Sequence, residues 1–265
     1  MKKLMVKFAL TLVILTLGSA SAAAQERPVA LTADTTTAVA GLDLYAAAEL
    51  FKDSENLEKF EQAINDAENG INNLDLNEDG TVDFVRVTEN VAEETRLIIL
   101  QVALGENDFQ DVATIAVEQE KAGNYNLQLQ GDPAIYGDDY YVVPANTDFS
   151  GWKVVRWLYR PNYRPYVSPF GYKTLPRWWG VRRPLAASVY RTRVGSFAGR
   201  KNFTASRTVR VKTVTKFNYR PRTSTLVRKT RVTRTTTNPR NGNQTTTTTV
   251  RRTNTRVLKP GKRKN

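Results

Sequence analysis

One short loop carries oxygen-bearing side chains whose types and spacing can bind a hard cation. They stand at positions 1, 3, 5 and 9 of a run whose position 6 is glycine. Position 7 adds a backbone carbonyl, and an all-oxygen ligand set favours Ca²⁺ over a transition metal. The predicted calcium ligands are Asp75, Asn77, Asp79, Thr81 (through its carbonyl) and Asp83.

Two features of this loop suggest a structural ion of modest affinity. An EF-hand has Glu at position 12 and continues into a helix, whereas this chain has Arg86 there, within a predicted strand. The loop is more similar to the D-x-[DN]-x-D-G-x-x-D calcium loops of β-hairpins and β-propeller repeats. We therefore expect a dissociation constant of roughly 10⁻⁴–10⁻³ M. The alternative is an ordinary polar turn, because Asp, Asn and Gly are common turn residues.

The composition argues against catalysis. The chain has no Cys and no His, which excludes disulfides, thiolate or imidazole metal sites, and Ser-His or Cys-His catalytic pairs. Carboxylate pairs such as Glu106 with Asp108, or Glu93 with Glu94, are expected by chance among 26 acidic residues. The sequence also has no nucleophile elbow, Gly-rich phosphate loop or zinc-protease motif. We therefore predict a protein that is not an enzyme.

Acidic and basic residues are segregated along the chain. Of its 265 residues, 25–148 hold all 26 acids with six bases, whereas 149–265 hold 30 bases and no acid. The formal net charge of +13 therefore conceals a segment of net charge −20 and a strongly basic one. This division excludes one evenly charged domain and confines polyanion binding to 149–265.

Apolar periodicity predicts two helices before the loop. The first helix begins after an N-cap at Asp43, and the second ends at Asn69-Gly70. The residues at steps of three and four, which share one face of their helix, are Leu44, Ala47, Ala48 and Phe51 in the first and Leu57, Phe60, Ile64, Ala67 and Ile71 in the second.

A series of short strands is predicted after the loop. Their ranges are 81–88, 95–104, 111–118, 125–130 and 140–143. Short connections favour antiparallel pairing, because parallel strands need long crossovers. We therefore predict an acidic α+β domain over 41–148, in which the N-terminal helices pack on an antiparallel β-meander of four or five strands.

The composition changes twice after this domain. Residues 149–185 are rich in aromatic residues, Arg and Pro; we predict that Trp152–Tyr159 docks on the sheet, and Tyr163–Trp179 is either further core or a contact surface. Residues 186–265 are rich in Arg and Thr and are predicted to be mostly disordered, since they contain few large apolar side chains.

As a polycation, the basic segment 149–265 should bind an anionic polymer by counterion release. The predicted polyanion-binding residues are Arg177, Arg182, Arg183, Arg191, Arg193, Arg200, Lys201, Arg207, Arg210 and Lys212.

The N-terminus has the pattern of a secretory signal peptide over 1–24. Three lysines accompany an apolar core at Phe8–Leu17, and a run of small residues ends at Ala24. As a helix this core is roughly 15 Å long, too short to span a bilayer. We expect a mature chain without a transmembrane span, with a loose lead-in over 25–40, in the periplasm or at the outer membrane or cell surface. The alternative is an uncleaved N-terminal anchor.

Several runs resemble one family of exported proteins. They are Glu58-Lys-Phe-Glu-Gln, Gly70–Gly80, Val85-Arg-Val, Leu100–Asn107, Gln110–Ile115, Ile135-Tyr-Gly and Tyr166–Phe170. On these residues the chain resembles, over about 40–195, an uncharacterised family of signal-peptide-bearing proteins of flavobacterium-type Gram-negative bacteria. Its members share a D-x-N-x-D-G loop and a Trp/Tyr/Pro segment followed by a basic C-terminal tail. The resemblance implies an envelope location and a non-enzymatic role, and it carries over no catalytic residue.

Together these features predict an exported, envelope-associated binding or structural protein. A calcium-stabilised domain would carry a polycationic tail that contacts lipopolysaccharide or an acidic polysaccharide. Genomic nucleic acid is not an expected partner, because exported chains rarely meet it. One alternative is a self-assembling matrix or adhesion protein, in which basic tails pair with acidic domains within or between molecules. The other is a polysaccharide-acting enzyme that uses a carboxylate pair.

Overall fold

The computed structural model describes residues 41–120, 124–137, 139–146, 149, 151–197, 200–211, 217–237 and 244–253. The predicted signal peptide 1–24, the lead-in 25–40 and the terminal residues 254–265 lie outside this part of the chain. Within it, every helix is too short or too polar to cross a membrane.

Two helices precede the loop, as predicted. Helix α1 is Leu44–Asp53, and the side chain of Asp43 caps it by accepting from the N–H of Ala46 at 2.9 Å. Helix α2 is Leu57–Asn65, so the predicted end at Asn69-Gly70 is wrong. The buried Asn65 side chain bonds both the N–H and the carbonyl of Val85, at 2.9 and 2.6 Å. This link to the sheet fixes where the chain leaves the helix.

The sheet is antiparallel, and its six strands lie side by side in chain order. The prediction of four or five strands is therefore too low, because it omits the last one. The strands are β1 (Val85–Ala92), β2 (Thr95–Gly105), β3 (Asp108–Gln119), β4 (Tyr125–Gly131), β5 (Tyr141–Pro144) and β6 (Phe203–Ser206). Strand β1 begins later than predicted because the N–H groups of Val82 and Asp83 bond outside the sheet, to the carbonyls of Arg182 and Leu74 at 2.8 and 2.7 Å.

Both faces of the sheet are covered. The main core joins one face to α1, α2 and helix α4 (Lys153–Leu158), and the short helix α3 (Pro133–Tyr136) contributes Ile135. A smaller cluster on the other face contains Leu97, Ile99 and Ala116 together with Val211. Strand β2 lies between β1 and β3, which explains why its Leu97–Leu100 run is apolar on both faces.

Part of the tail 186–265, which is predicted to be mostly disordered, forms regular structure. Helix α5 is Ala187–Gly195, β6 completes the sheet, and strands β7 (Arg228–Thr237) and β8 (Gln244–Thr253) form an antiparallel hairpin. Tyr190 and Val194 of α5 are buried, as are Phe203 and Val227. The tail has too few apolar residues for a core of its own, but its Phe203 and Val227 pack into the main core with residues of the acidic segment. The described residues all belong to one compact unit.

The segment 152–159, predicted to dock on the sheet, contains α4 and packs on the main core. Trp152 contacts the rings of Phe149 and Phe203, with centroids 5.0 and 6.1 Å away. The hydroxyl of Tyr159 bonds the carbonyl of Val117 in β3 at 2.8 Å. This segment joins the end of the acidic chain to the sheet and supports β6.

Candidate functional site

The loop at 75–83 is closed by hydrogen bonds from its own backbone to its acidic side chains. The carboxylate of Asp75 accepts from the N–H groups of Asp79 and Gly80, at 3.0 and 3.1 Å. The carboxylate of Asp79 accepts from the N–H and the hydroxyl of Thr81, at 2.9 and 2.5 Å. Gly80 has a φ of 85°, which residues with side chains rarely adopt. The sequence therefore folds this segment into a tight polar loop.

The predicted calcium ligands are only partly brought together. The amide of Asn77 donates to Asp79 at 3.0 Å, and both Asn77 and Asp75 accept from the Asp79 N–H. Asp83 instead accepts from the N–H of Leu76, at 2.6 Å. Within the described part of the chain, no three acidic side chains form a cluster that could hold a metal ion. Hydrogen bonds among the loop residues, and not a shared arrangement of carboxylates, therefore set the conformation of the predicted ligands.

The chemistry of this donor set nevertheless fits calcium. Burial raises the pKa of Asp75, and repulsion from the carboxylates of Asp79 and Glu78 also acts to raise it. A bound cation would relieve this repulsion. All of the candidate ligands are oxygens, which hard cations prefer. The calcium site therefore stays a prediction of the sequence with a compatible donor set.

The basic segment after the aromatic residues runs back along the chain that leads into the loop. Arg182 accepts through its carbonyl from Val82, and the N–H of Leu185 bonds the Asn73 side chain at 2.6 Å. Further along, the Tyr190 hydroxyl bonds the carbonyl of Ile71 at 2.6 Å. The two segments therefore lie side by side in opposite directions. This contact places the start of the basic tail next to the acidic loop.

A groove of about 240 Å³ opens beside the loop. The loop, the start of β1 and the segment 171–181 all contribute to its walls. Its charged and large aromatic residues include Asp79, Asp83, Arg86, Tyr172, Lys173 and Trp179. The groove thus combines residues about one hundred positions apart, and Tyr172 and Trp179 of the predicted aromatic contact surface line it.

Aromatic rings pack against one another beside the groove. Phe84 contacts the rings of Phe170, Trp178 and Trp179, with centroids 5.7, 5.9 and 5.3 Å away. The guanidinium of Arg182 lies over the ring of Trp179, 4.3 Å from its centroid. Trp178 stays 45% exposed and Tyr172 43% exposed, so these rings are not simply core.

Two buried carboxylates hold the aromatic segment against the sheet. Glu89 accepts from the hydroxyl of Tyr163 and from the N–H of Tyr166 at 3.0 Å. Glu61 of α2 accepts from the N–H of Val87 at 2.6 Å and from the hydroxyl of Tyr166 at 3.3 Å. Burial raises the pKa of both glutamates, and their hydrogen bonds only partly offset it. They position the segment that leads to the groove.

The sequence contained a signal for these two glutamates that the prediction did not use. Glu61 follows Leu57 by four residues, on the apolar face of α2, and Glu89 alternates with Val85 and Val87 along β1. An acid at an apolar position in a periodic pattern indicates a buried, hydrogen-bonded carboxylate. The pairs that the sequence did suggest lie elsewhere: Glu93, Glu94 and Glu106 are exposed in the turns between strands, and Asp108 begins β3.

The predicted polyanion-binding residues are mostly on the surface. Arg182 is half-buried, and burial lowers the pKa of its guanidinium. Arg193 donates to the carbonyl of Ala67 at 3.3 Å, which keeps part of its guanidinium near α2. Arg200 lies in a short 3₁₀ turn, and Lys212 lies outside the described residues. The exposed members are Arg177, Arg183, Arg191, Arg193, Lys201, Arg207 and Arg210.

Comparison of the chain with protein-family models, with curated proteins and with solved structures finds no match. The resemblance to exported flavobacterium-type proteins therefore rests on the quoted runs of sequence alone.

Proposed function

We propose that this chain is an exported, non-enzymatic binding protein of the cell envelope. Its basic residues contact an anionic polymer, either lipopolysaccharide or an acidic polysaccharide. One observation carries the proposal: exposed arginines between 177 and 210 stand on a backbone that is hydrogen-bonded to the acidic segment. A fixed backbone loses less conformational freedom on binding than a disordered one, which strengthens binding.

We expect polymer binding to depend on these arginines and on salt. Changing Arg183, Arg191, Arg207 and Arg210 to Gln should weaken binding about tenfold or more, because each phosphate or carboxylate contact releases counterions. The measurement is cosedimentation of the chain from Gln25 with lipopolysaccharide or polygalacturonate at two salt concentrations. The matched control changes four bases of the acidic segment 25–148: Arg27, Lys52, Lys59 and Lys121. Equal binding by both variants, or binding insensitive to salt, would contradict the proposal.

Calcium should stabilise the protein through the 75–83 loop. With a dissociation constant of roughly 10⁻⁴ M, about 1 mM Ca²⁺ adds about 1.4 kcal/mol to the free energy of unfolding. This corresponds to a rise of about 3–5 °C in melting temperature for a chain of this size. Asp79→Ala should abolish the rise, whereas Glu68→Ala, a change of an exposed acid outside the loop, should retain it. An unchanged melt of the unmodified chain in calcium would leave the loop an ordinary turn.

The second candidate is a self-assembling matrix or adhesion protein. It would pair the basic tail of one chain with the acidic segment of another. The contacts of 182–193 with 67–83 within one chain occupy part of both surfaces, which favours the polymer-binding proposal. Sedimentation velocity distinguishes the two, because self-assembly requires oligomers that dissociate as salt is added.

A further inference from the structure

The charges around the groove are balanced. Its charged lining residues are the acids Asp79 and Asp83 and the bases Arg86 and Lys173. The Asp79 carboxylate already accepts from Thr81, and Arg86 donates to the carbonyl of Ser168 at 3.1 Å. Acidic side chains, which accept hydrogen bonds, and basic side chains, which donate them, thus line one space. This lining does not match a simple anion, which would need net positive charge, or an apolar ligand, which would leave the charges unpaired.

Aromatic faces meet these polar groups in the same groove. Trp179 is held at its edge by Phe84, with the two rings 5.3 Å apart at 86°, and by Arg182 over its face. Tyr172 is 43% exposed, and the ammonium of Lys173 lies 5.1 Å from the centre of its ring. An aromatic ring has a negative face, which attracts the slightly positive C–H groups of a ligand packed on it. Tyr172 and Trp179 thus line the groove beside charged side chains of both signs, and the Tyr172 ring is partly open to solvent.

We infer that this groove binds a saccharide unit. A sugar ring has a face of C–H groups that can stack on an aromatic ring, and hydroxyls that donate and accept hydrogen bonds at the same time. The volume of about 240 Å³ is below the roughly 300–1,000 Å³ of sites for drug-sized ligands, so it suits one ring of a longer chain. The inference rests on the proposed function, since the sugar would belong to the envelope polymer. It adds a second mode of contact that does not depend on net charge.

The test separates this contact from the charge-driven one. The full chain from Gln25 is applied to an array of hexose, N-acetylhexosamine, deoxyhexose and uronate oligosaccharides, and the affinity for each bound class is measured by calorimetry. The expected result is binding of at least one neutral class. Its affinity should change by no more than about twofold at about 1 M NaCl, where the Debye length is about 3 Å. Absence of binding to every class, or its loss at high salt, would overturn the inference.

Two variants and a matched control locate the binding. Tyr172→Ala and Trp179→Ala should each weaken it about tenfold, the effect of losing about 1.4 kcal/mol of stacking. Trp178→Ala is the control, because Trp178 also contacts Phe84 but does not line the groove. Thermal melts show that each variant is folded, and Tyr172 is exposed enough to be replaced without loss of the core. Unchanged affinity in the Tyr172 and Trp179 variants would overturn the inference.

The arginine variant described above keeps the two proposals distinct. Gln at 183, 191, 207 and 210 should reduce polymer binding and leave oligosaccharide affinity unchanged, since none of these residues lines the groove. Oligosaccharide binding without salt-sensitive polymer binding would support the groove and reject the charge-driven contact. The opposite pattern would reject the groove alone.

Discussion

A chain that ends after residue 148 should not fold cooperatively, although the predicted domain boundary falls there. The core that covers α1, α2 and the sheet also contains Phe149, Val154, Val155, Leu158, Phe203 and Val227. Each buried apolar side chain of this size contributes about 1.5–3 kcal/mol. Their combined contribution is comparable to the roughly 5–15 kcal/mol that stabilises a typical domain. The truncated chain would also lack β6 and expose one edge of β5.

Truncation at two points tests this result. The chain 25–148 should show no cooperative thermal transition and weak near-ultraviolet circular dichroism, as expected when fixed packing is lost. The chain 25–227 is the matched control, because it keeps all six of those core residues and removes the β7–β8 hairpin with the terminal residues. It should melt cooperatively, close to the full chain. A cooperative transition in 25–148 would show that the acidic segment has a sufficient core of its own.

The parts of the fold that could be predicted are those with a periodic signal. Leu44 to Phe51 repeat at helical spacing, and the strands after the loop are either alternating or continuously apolar runs with short connections, so these patterns predict α1 and most of the antiparallel sheet. Strand β6 has only four residues, and Phe203 is its one large apolar side chain. Its pairing with β5 depends on contacts far along the chain, which local patterns do not encode.

The ordered parts of the basic tail could not be predicted, for a related physical reason. Its composition shows that it cannot form a separate core, and disorder follows if the tail is considered alone. Phe203 and Val227 instead belong to the main core, and Tyr190 and Val194 are also buried. The charge difference between the two halves is evident from the sequence. It does not predict their contacts, because these include hydrogen bonds to backbone carbonyls, such as that of Tyr190 to Ile71.

The candidate site was predicted in its local part only. Asp75 to Asp83 stand close together in sequence, so their spacing was sufficient to predict the loop. The groove needs Trp179 and Tyr172 next to Asp79, and no local pattern indicates that juxtaposition. The sequence left Tyr163–Trp179 undecided between core and contact surface. In the structure Tyr163 bonds a buried glutamate, whereas Trp178 and Tyr172 are exposed.

Asp111→Ala should strongly destabilise the protein, because Asp111 is a buried acceptor of several hydrogen bonds. Asp111 is 1% exposed and accepts from the Gln101 side chain at 2.6 Å, the Tyr219 hydroxyl at 2.7 Å and the Arg222 N–H at 2.8 Å. Burial, and then the adjacent Asp111 charge, raise the pKa of Tyr219, so its hydroxyl remains a donor. Alanine would leave these donors without an acceptor. We expect a loss of about 3–5 kcal/mol in the free energy of unfolding.

The substitution should also release 217–227 from the sheet before the rest of the protein unfolds. Urea denaturation measures the overall loss, and hydrogen exchange at Arg222 and Ser224 measures the local release. Asp108→Ala is the matched control, since Asp108 contacts the same segment through exposed Thr225 at 3.0 Å and should cost no more than about 0.5–1 kcal/mol. Equal effects of the two variants would mean that the tail is held by its apolar contacts alone. A large effect confined to Asp111 would mean that one buried carboxylate, placed in β3 by the acidic half, fixes the basic half on the fold.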